Sequence, residues 1–289
     1  MQNKINTENK IAFVILHYLA EKETADCIEA IQRNITWSNK HIIVVDNAST
    51  NDSFTNIQNK YGKTVVCLQN KENLGFARGN NIGYKYAKEI IGADFIVMLN
   101  NDTVIKQHDF CDVLVQKYKD YNYYVLGPDI ITRDGFHQNP MKDKNWTLSK
   151  LRIFKLKAII RLIDAMTIGI IPIIFKNKLV VNGTPETTVG DLKNVRLHGA
   201  CLIFSSKYIK EYEGLDSGTF LYMEEDLLQM HMKHDKHLML YSDALSITHK
   251  EDAATNLVTK TEKQRRITFL KNLLASINVC IEREKENSL

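Results

Sequence analysis

Proline is scarce, four residues in 289, and glycine reaches only thirteen. A chain so poor in both leaves no room for long linkers between domains. Cysteine is sparse too: Cys27, Cys67, Cys111, Cys201 and Cys280 lie far apart with no CxxC pair. That pattern excludes a disulfide framework and a zinc ribbon, and it reads as buried thiols kept reduced inside the cell. No run of 18 or more uninterrupted apolar residues occurs, so no segment reads as a full membrane span. The opening MQNKINTENK has no apolar stretch behind a basic run, and no secretory signal is expected from it. An excess of one charge is also lacking. The 38 basic and 34 acidic residues leave +4, too mild for a nucleic-acid binder but suited to an anionic small molecule or lipid surface. Two phosphate signatures are missing as well. No GxGxxG follows the first apolar run, which disfavours dinucleotide binding, and no GxxxxGK[ST] exists, which excludes a P-loop.

What is present describes an ordinary globular protein, 44% hydrophobic and 25% charged. A chain of this length buries roughly 75% of its unfolded surface and needs no staples. Its first half alternates. Short apolar runs at 11–17, 42–46, 64–69 and 95–99 read as buried strands rich in Val and Ile, and helical patterns fall near 22–34, 53–60, 76–91 and 106–120. In the third helix Ile82, Tyr86 and Ile90 recur at four-residue spacing, on one face. This predicts a mostly parallel α/β sheet covered by helices on both sides, with ligands outside the carboxyl ends of its strands.

The middle changes character. Residues 137–150 are polar, and 151–175 then sets Arg152, Lys155, Lys157 and Arg161 among apolar residues ending in IGIIPIIF. Two readings stand: a core helix with a buried loop, or a basic amphipathic surface resting on an anionic membrane face. Strand pattern returns at 195–206, 224–234 is helical, and Ile267, Leu270, Leu274, Ile277 and Ile281 make 258–281 an amphipathic helix.

Polar residues sit where the early strands end. Asp46-Asn47 closes the second run; a carboxylate there can accept from a nucleobase imide, and Asn47 can both donate and accept. Ser49, Asn51 and Asp52 read equally as helix caps. In NKENLGFARGNNIGYKYA, Gly75 and Gly79 permit close approach, Arg78 offers a fork for phosphate, and Asn80-Asn81 open a helix. The fourth run ends LNNDT. Asp102 there suits a hard divalent cation shared with substrate phosphates, or an Asx turn.

VDNAST, NLGFARGNN-x-G and LNNDT, in this order and at these gaps, resemble family 2 inverting glycosyltransferases of the GT-A fold, nearest the bacterial rhamnosyltransferase-like branch. The resemblance is strong over about 11–105 and resumes at 198–227, HGACLIFSSKYIKEYEGLDSGTFLYMEEDL. It implies a GT-A domain over 1–250, with an insert at about 137–195, and a helical tail over 251–289. It implies donor contacts by Tyr18, Asp46, Asn47, Asn73, Gly75, Arg78, Asn81 and Asn101, and a sugar pocket lined by Gly199 and Ala200. Asp102, with His249, is the implied site of Mn²⁺ or Mg²⁺. The acidic run Glu224-Glu225-Asp226 carries the general base, Glu225 or, by a one-residue shift, Asp226; the same run also suits the first turn of any helix. The sequence departs from the family in places: His17-Tyr18-Leu19 stands for TYN, Asn100 for the first carboxylate of DxD, Glu-Glu for Glu-Asp, and Lys250-Glu251-Asp252 for small residues after the late histidine. His198, His231, His234 and His237 are read as residues without a role.

The expected activity is transfer of a hexose from a dTDP- or UDP-sugar to a hydroxyl of a glycan or lipid-linked acceptor in surface polysaccharide synthesis. The expected location is cytoplasmic, peripheral on the inner face of the cell membrane. A nucleotide-binding but catalytically inactive membrane-surface scaffold is the alternative. A sugar-nucleotidyltransferase would want a Gly-rich, basic loop after the first strand, and HYLAEKETAD has none.

Overall fold

The four apolar runs of the first half form β1 (Ile11–His17), β2 (Lys40–Asp46), β3 (Val66–Gln69) and β4 (Phe95–Asn100). They belong to a computed structural model that describes residues 9–167, 184–251 and 261–287. The strands pair in parallel, in the order β3-β2-β1-β4. All of β1 except Leu16 is buried, as continuous Val/Ile strands are when helices cover both faces. That cover comes from α1 (Glu21–Asn34), α2 (Ser53–Tyr61), α3 (Gly75–Tyr86, prolonged by a π turn to Ile91) and α4 (Phe110–Tyr121). In α1, Thr24, Cys27, Ile28 and Ile31 form the buried stripe, while Glu21 and Glu23 complement the positive end of the helix dipole.

In α3 the expected face is reversed. Ile82 is 40% and Ile90 67% exposed, while Ala77, Gly83, Tyr84 and Ala87 face the sheet. The small residues decide this. A Cβ at Gly83 would stand 2.5 Å from Val14 Cγ1 and 2.8 Å from Val45 Cγ2, so only glycine lets the helix lie this close.

The second half extends the same sheet with β5 (Thr103–Val104), β6 (Val125–Thr132), β7 (Asp191–Lys193), β8 (Cys201–Phe204) and β9 (Met239–His249). β8 runs antiparallel between β4 and β6, β6 lies parallel to β9, and β5 and β7 are antiparallel to β9. Sequence patterning found neither β6 nor β9, and the strand expected over 195–206 shortens to β8. The helix expected from 106 starts at Phe110.

Four helices complete the described residues: α5 (Leu148–Met166), α6 (Ser206–Glu211), α7 (Glu224–His234) and α8 (Glu262–Glu286). α8 starts later than expected because Thr261 and Gln264 form a capping box. Leu151 and Ala158 of α5, Leu227 and Met230 of α7, and Leu273 and Ile277 of α8 share one apolar cluster. The apolar end of the 151–175 segment, from residue 168, lies outside the described residues. No described helix is long and apolar enough to cross a membrane.

Candidate active site

The carboxyl ends of β1, β2 and β4 lie side by side, because His17 pairs with Asp46 and Leu16 with Asn100. That is where a parallel sheet presents ligand-binding residues. Tyr18 follows β1, half-buried, just before Leu19 in the left-handed region at φ 61°. Asp46 is fully buried. Its two oxygens accept from the Ser49 backbone N at 3.1 and 3.2 Å, and Oδ2 also accepts from Gln69 Nε2 at 3.2 Å. Asn47 organises the next turn: Nδ2 donates to Asn73 Oδ1 and the Gly75 carbonyl, and Oδ1 accepts from Asn70 Nδ2 and the Leu74 N–H. Gly75 has φ +80°, and a Cβ there would sit 2.1 Å from the Phe220 carbonyl oxygen, so this turn closes against the 220 segment.

Two residues expected at the nucleotide are occupied by the protein itself. Arg78 Nε donates to the Ser217 carbonyl at 2.7 Å. Asn81 clamps Leu215, donating to its carbonyl at 2.7 Å and accepting from its N–H at 2.8 Å. Both therefore tie α3 to the 215–217 segment, a long-range contact that local motif reading does not show. Asn101 is buried and donates to Thr24 Oγ1 at 3.1 Å, which locks the turn after β4 to α1.

Asp102 and His249 come together because β5 pairs with β9, with Thr103 opposite His249. Asp102 is 1% exposed and neither carboxylate oxygen has a hydrogen-bond partner among the described residues. His249 Nε2 lies 3.2 Å from Asp102 Oδ1. On its other side Nδ1 is 2.7 Å from Gln138 Oε1, an acceptor, so Nδ1 carries the proton. With Nδ1 turned to Gln138, Nε2 is the ring nitrogen that converges with Asp102 Oδ1, as an ion-pair donor when it carries a proton and as a lone pair open to a cation when it does not. The donor set fits a divalent cation that takes its remaining ligands from phosphate and water. No group of three or more His, Cys, Asp or Glu with metal-binding geometry occurs among the described residues.

The acidic run follows two consecutive left-handed residues, Tyr222 (φ 75°) and Met223 (φ 70°). Neither is glycine, and such conformations cost roughly 1–3 kcal/mol each, so packing must hold them. They set the rotation of α7. Asp226 turns inward, 1% exposed, and is saturated by Trp146 Nε1 (2.8 Å), Arg196 Nη2 (2.9 Å) and Lys144 Nζ (3.3 Å). Glu224 also packs inward. Burial first, and the Glu225 charge second, push its pKa up to about 7. Glu225 stays half-buried, and its Oε1 accepts from the Gly199 N–H at 3.2 Å.

Glu225 lines a cavity of about 1040 Å³ together with His198, Arg196, Trp146, Tyr222 and Phe269. His198 belongs to this site, contrary to its sequence reading. Its ring lies 5.7 Å from that of His249, and its Nδ1 accepts from the Ala200 N–H at 3.1 Å. Burial lowers its pKa to about 4, so it is neutral at pH 7 and carries its proton on Nε2. Gly199 and Ala200 are thus bracketed by His198 and Glu225. Gln138, Trp146 and Arg196 escaped sequence reading because nothing local marks them; the only signal was the position of His198 beside Gly199-Ala200.

Three comparisons bear on this geometry. A 216-residue stretch, 74% of the chain, is 22% identical to the low-salt glycan biosynthesis hexosyltransferase Agl10 of Haloferax volcanii and spans 59% of that protein. The chain thus covers less than two thirds of that relative's length. Two solved structures share the fold: S. aureus TarS 1–349, with TM-score 0.53 and 14% identity over 92% of this chain and 70% of that one, and the same fragment in complex with UDP, with TM-score 0.53 over 90% and 65%. Residues 12–179, which hold the parallel strands and Asp102, match the description of glycosyl transferase family 2. A GT-A sheet with Asp46 and Asp102 at its strand ends and the family match over more than half the sequence agree: the chain belongs to glycosyl transferase family 2.

Proposed function

We propose that this protein is an inverting hexosyltransferase. It moves a sugar from a UDP- or dTDP-sugar to a hydroxyl of a glycan or lipid-linked acceptor during surface polysaccharide synthesis at the cytoplasmic face of the membrane. The observation that carries this reading is the divided fate of the acidic run: both Glu225 and Asp226 border the cavity, but Asp226 is saturated by Trp146, Arg196 and Lys144, whereas Glu225 is half-buried and accepts from the Gly199 N–H. The nucleoside diphosphate would lie at the ends of β1, β2 and β4, between the turns that Asp46 and Asn47 hold. The acceptor would enter the large cavity. Glu225 takes the proton of the acceptor hydroxyl as its oxygen attacks the anomeric carbon, and the bond to the diphosphate breaks with its electron pair on the leaving oxygen. Neutral His198, a donor at Nε2, is placed beside the reacting groups. Asp102 and His249 would hold a divalent cation, which supplies charge neutralisation for the leaving diphosphate.

A nucleotide-binding, inactive scaffold draws on Asn100 standing where the family carries a carboxylate. The two readings part in a thermal-shift screen with UDP, dTDP, GDP and CMP, with and without Mn²⁺, followed by a donor-hydrolysis assay. The transferase reading expects stabilisation by UDP or dTDP that Mn²⁺ enhances, together with slow hydrolysis. Asp102→Ala should melt like the parent without ligand and lose the Mn²⁺-dependent increment. An equal increment in both proteins overturns the cation assignment, and binding without hydrolysis favours the scaffold.

A further inference from the structure

α5 has two apolar faces, and among the described residues only one is covered. Leu151, Ala158 and Ala165 are buried, on the side that packs along α8. At about 100° per residue, Ile153, Leu156, Ile160 and Ile163 fall within a sector of roughly 80° on the opposite side. These four are between 50% and 58% exposed, and Met166 beyond them is 55% exposed. A helix apolar all round belongs in a core or against lipid, and an exposed apolar stripe marks an interaction surface.

Charge selects the occupant. Arg152, Lys155, Lys157 and Arg161 have no ion pair or hydrogen bond among the described residues, while the helix's single acid, Asp164, is held by Arg266 Nη2 at 3.0 Å. A second copy docking through the same face would set cations against cations. We propose that the outer face of α5 seats on an anionic lipid bilayer, with the Ile/Leu stripe at the headgroup–acyl boundary and the four cations on the headgroup phosphates. Ile153 and Lys157 also line the large cavity, so docking would set its mouth at the lipid surface. That consequence rests on the transferase reading; the docking itself does not.

The test is co-sedimentation of the full chain with phosphatidylcholine vesicles, with and without phosphatidylglycerol. The parent should pellet with the anionic vesicles, less so as salt rises, and stay in solution with the neutral ones. Leu156→Asp with Ile160→Asp should abolish partition at every salt concentration. Arg152→Gln with Arg161→Gln should lower it about fivefold per cation removed. A cooperative melt and an unchanged UDP/Mn²⁺ thermal shift in the same samples show that the variants are folded. They also separate failure of docking from failure of the transferase reading. A parent that stays in solution with anionic vesicles at low salt overturns the proposal, as does an Asp pair that binds as well as the parent. A parent dimer that the Asp pair makes monomeric assigns the stripe to a second copy and overturns it too.

Discussion

Glu225 and Asp226 are neighbours whose side chains point about 100° apart, and on the proposed reading that rotation separates chemistry from architecture. Glu225→Gln keeps size and can still accept from the Gly199 N–H, but it cannot take a proton. Transfer should fall roughly 10²–10⁴-fold while donor affinity stays at the parent's value. Single-turnover kinetics beside a UDP titration would check this, and an active Glu225→Gln removes Glu225 as the base. The sequence left the base open between these two residues because the answer depends on helix phase. Phase is set by Tyr222 and Met223 in left-handed conformations, which residue type does not announce in a tyrosine and a methionine. Asp102 also stayed open in the sequence, between a cation ligand and an Asx turn, because the end of a buried strand suits both. Its meeting with His249 required the β5–β9 pairing.

At the level of elements, Asp226 stitches together the start of α7, the 144–146 segment before α5, and Arg196 before β8. Arg196 is only 5% exposed, so Asp226→Asn would leave a buried cation uncompensated, which costs on the order of 3–5 kcal/mol. The melting temperature should drop by roughly 10 °C, and transfer by far less than in Glu225→Gln. A variant with an unchanged melt and no transfer would return the base to Asp226. Elements declared themselves where their burial was simple. β1 and β4 are covered on both faces and read as unbroken apolar runs. β9 mixes buried and half-exposed positions, and its register with β6 shifts at Pro128/Asp129, so no period of two survives. α3 misled for a related reason: apart from Tyr84, its buried face is built of glycine, alanine and Asn80, which a search for large apolar residues passes over.

Across the whole molecule, one apolar cluster joins α5, α7 and α8, and Glu224, buried between its members Met223 and Leu227 in sequence, has a carboxyl pKa raised from 4.5 to about 7. Below pH 4.5 the group is protonated in the folded and unfolded chain alike and costs nothing. Between about 4.5 and 7 the unfolded chain ionises first, the folded state binds more protons, and stability falls as pH rises. Above 7 both forms are charged and the full penalty remains, on the order of 3 kcal/mol. Asp143, Asp191 and Asp216 oppose this trend. Their pKa values are lowered by hydrogen bonds and charge from Lys233, Lys117 and Arg283, against a burial effect of opposite sign, so their contribution fades as pH falls through the folded values. Glu224→Gln isolates the first effect, because the aspartates stay in both proteins. The variant should melt several degrees above the parent at pH 8, and that advantage should shrink steadily toward pH 5. Melting curves of the two proteins across this range decide it. A difference that does not change with pH would mean that Glu224 titrates as an ordinary carboxylate, and that its carboxyl is not sealed from water.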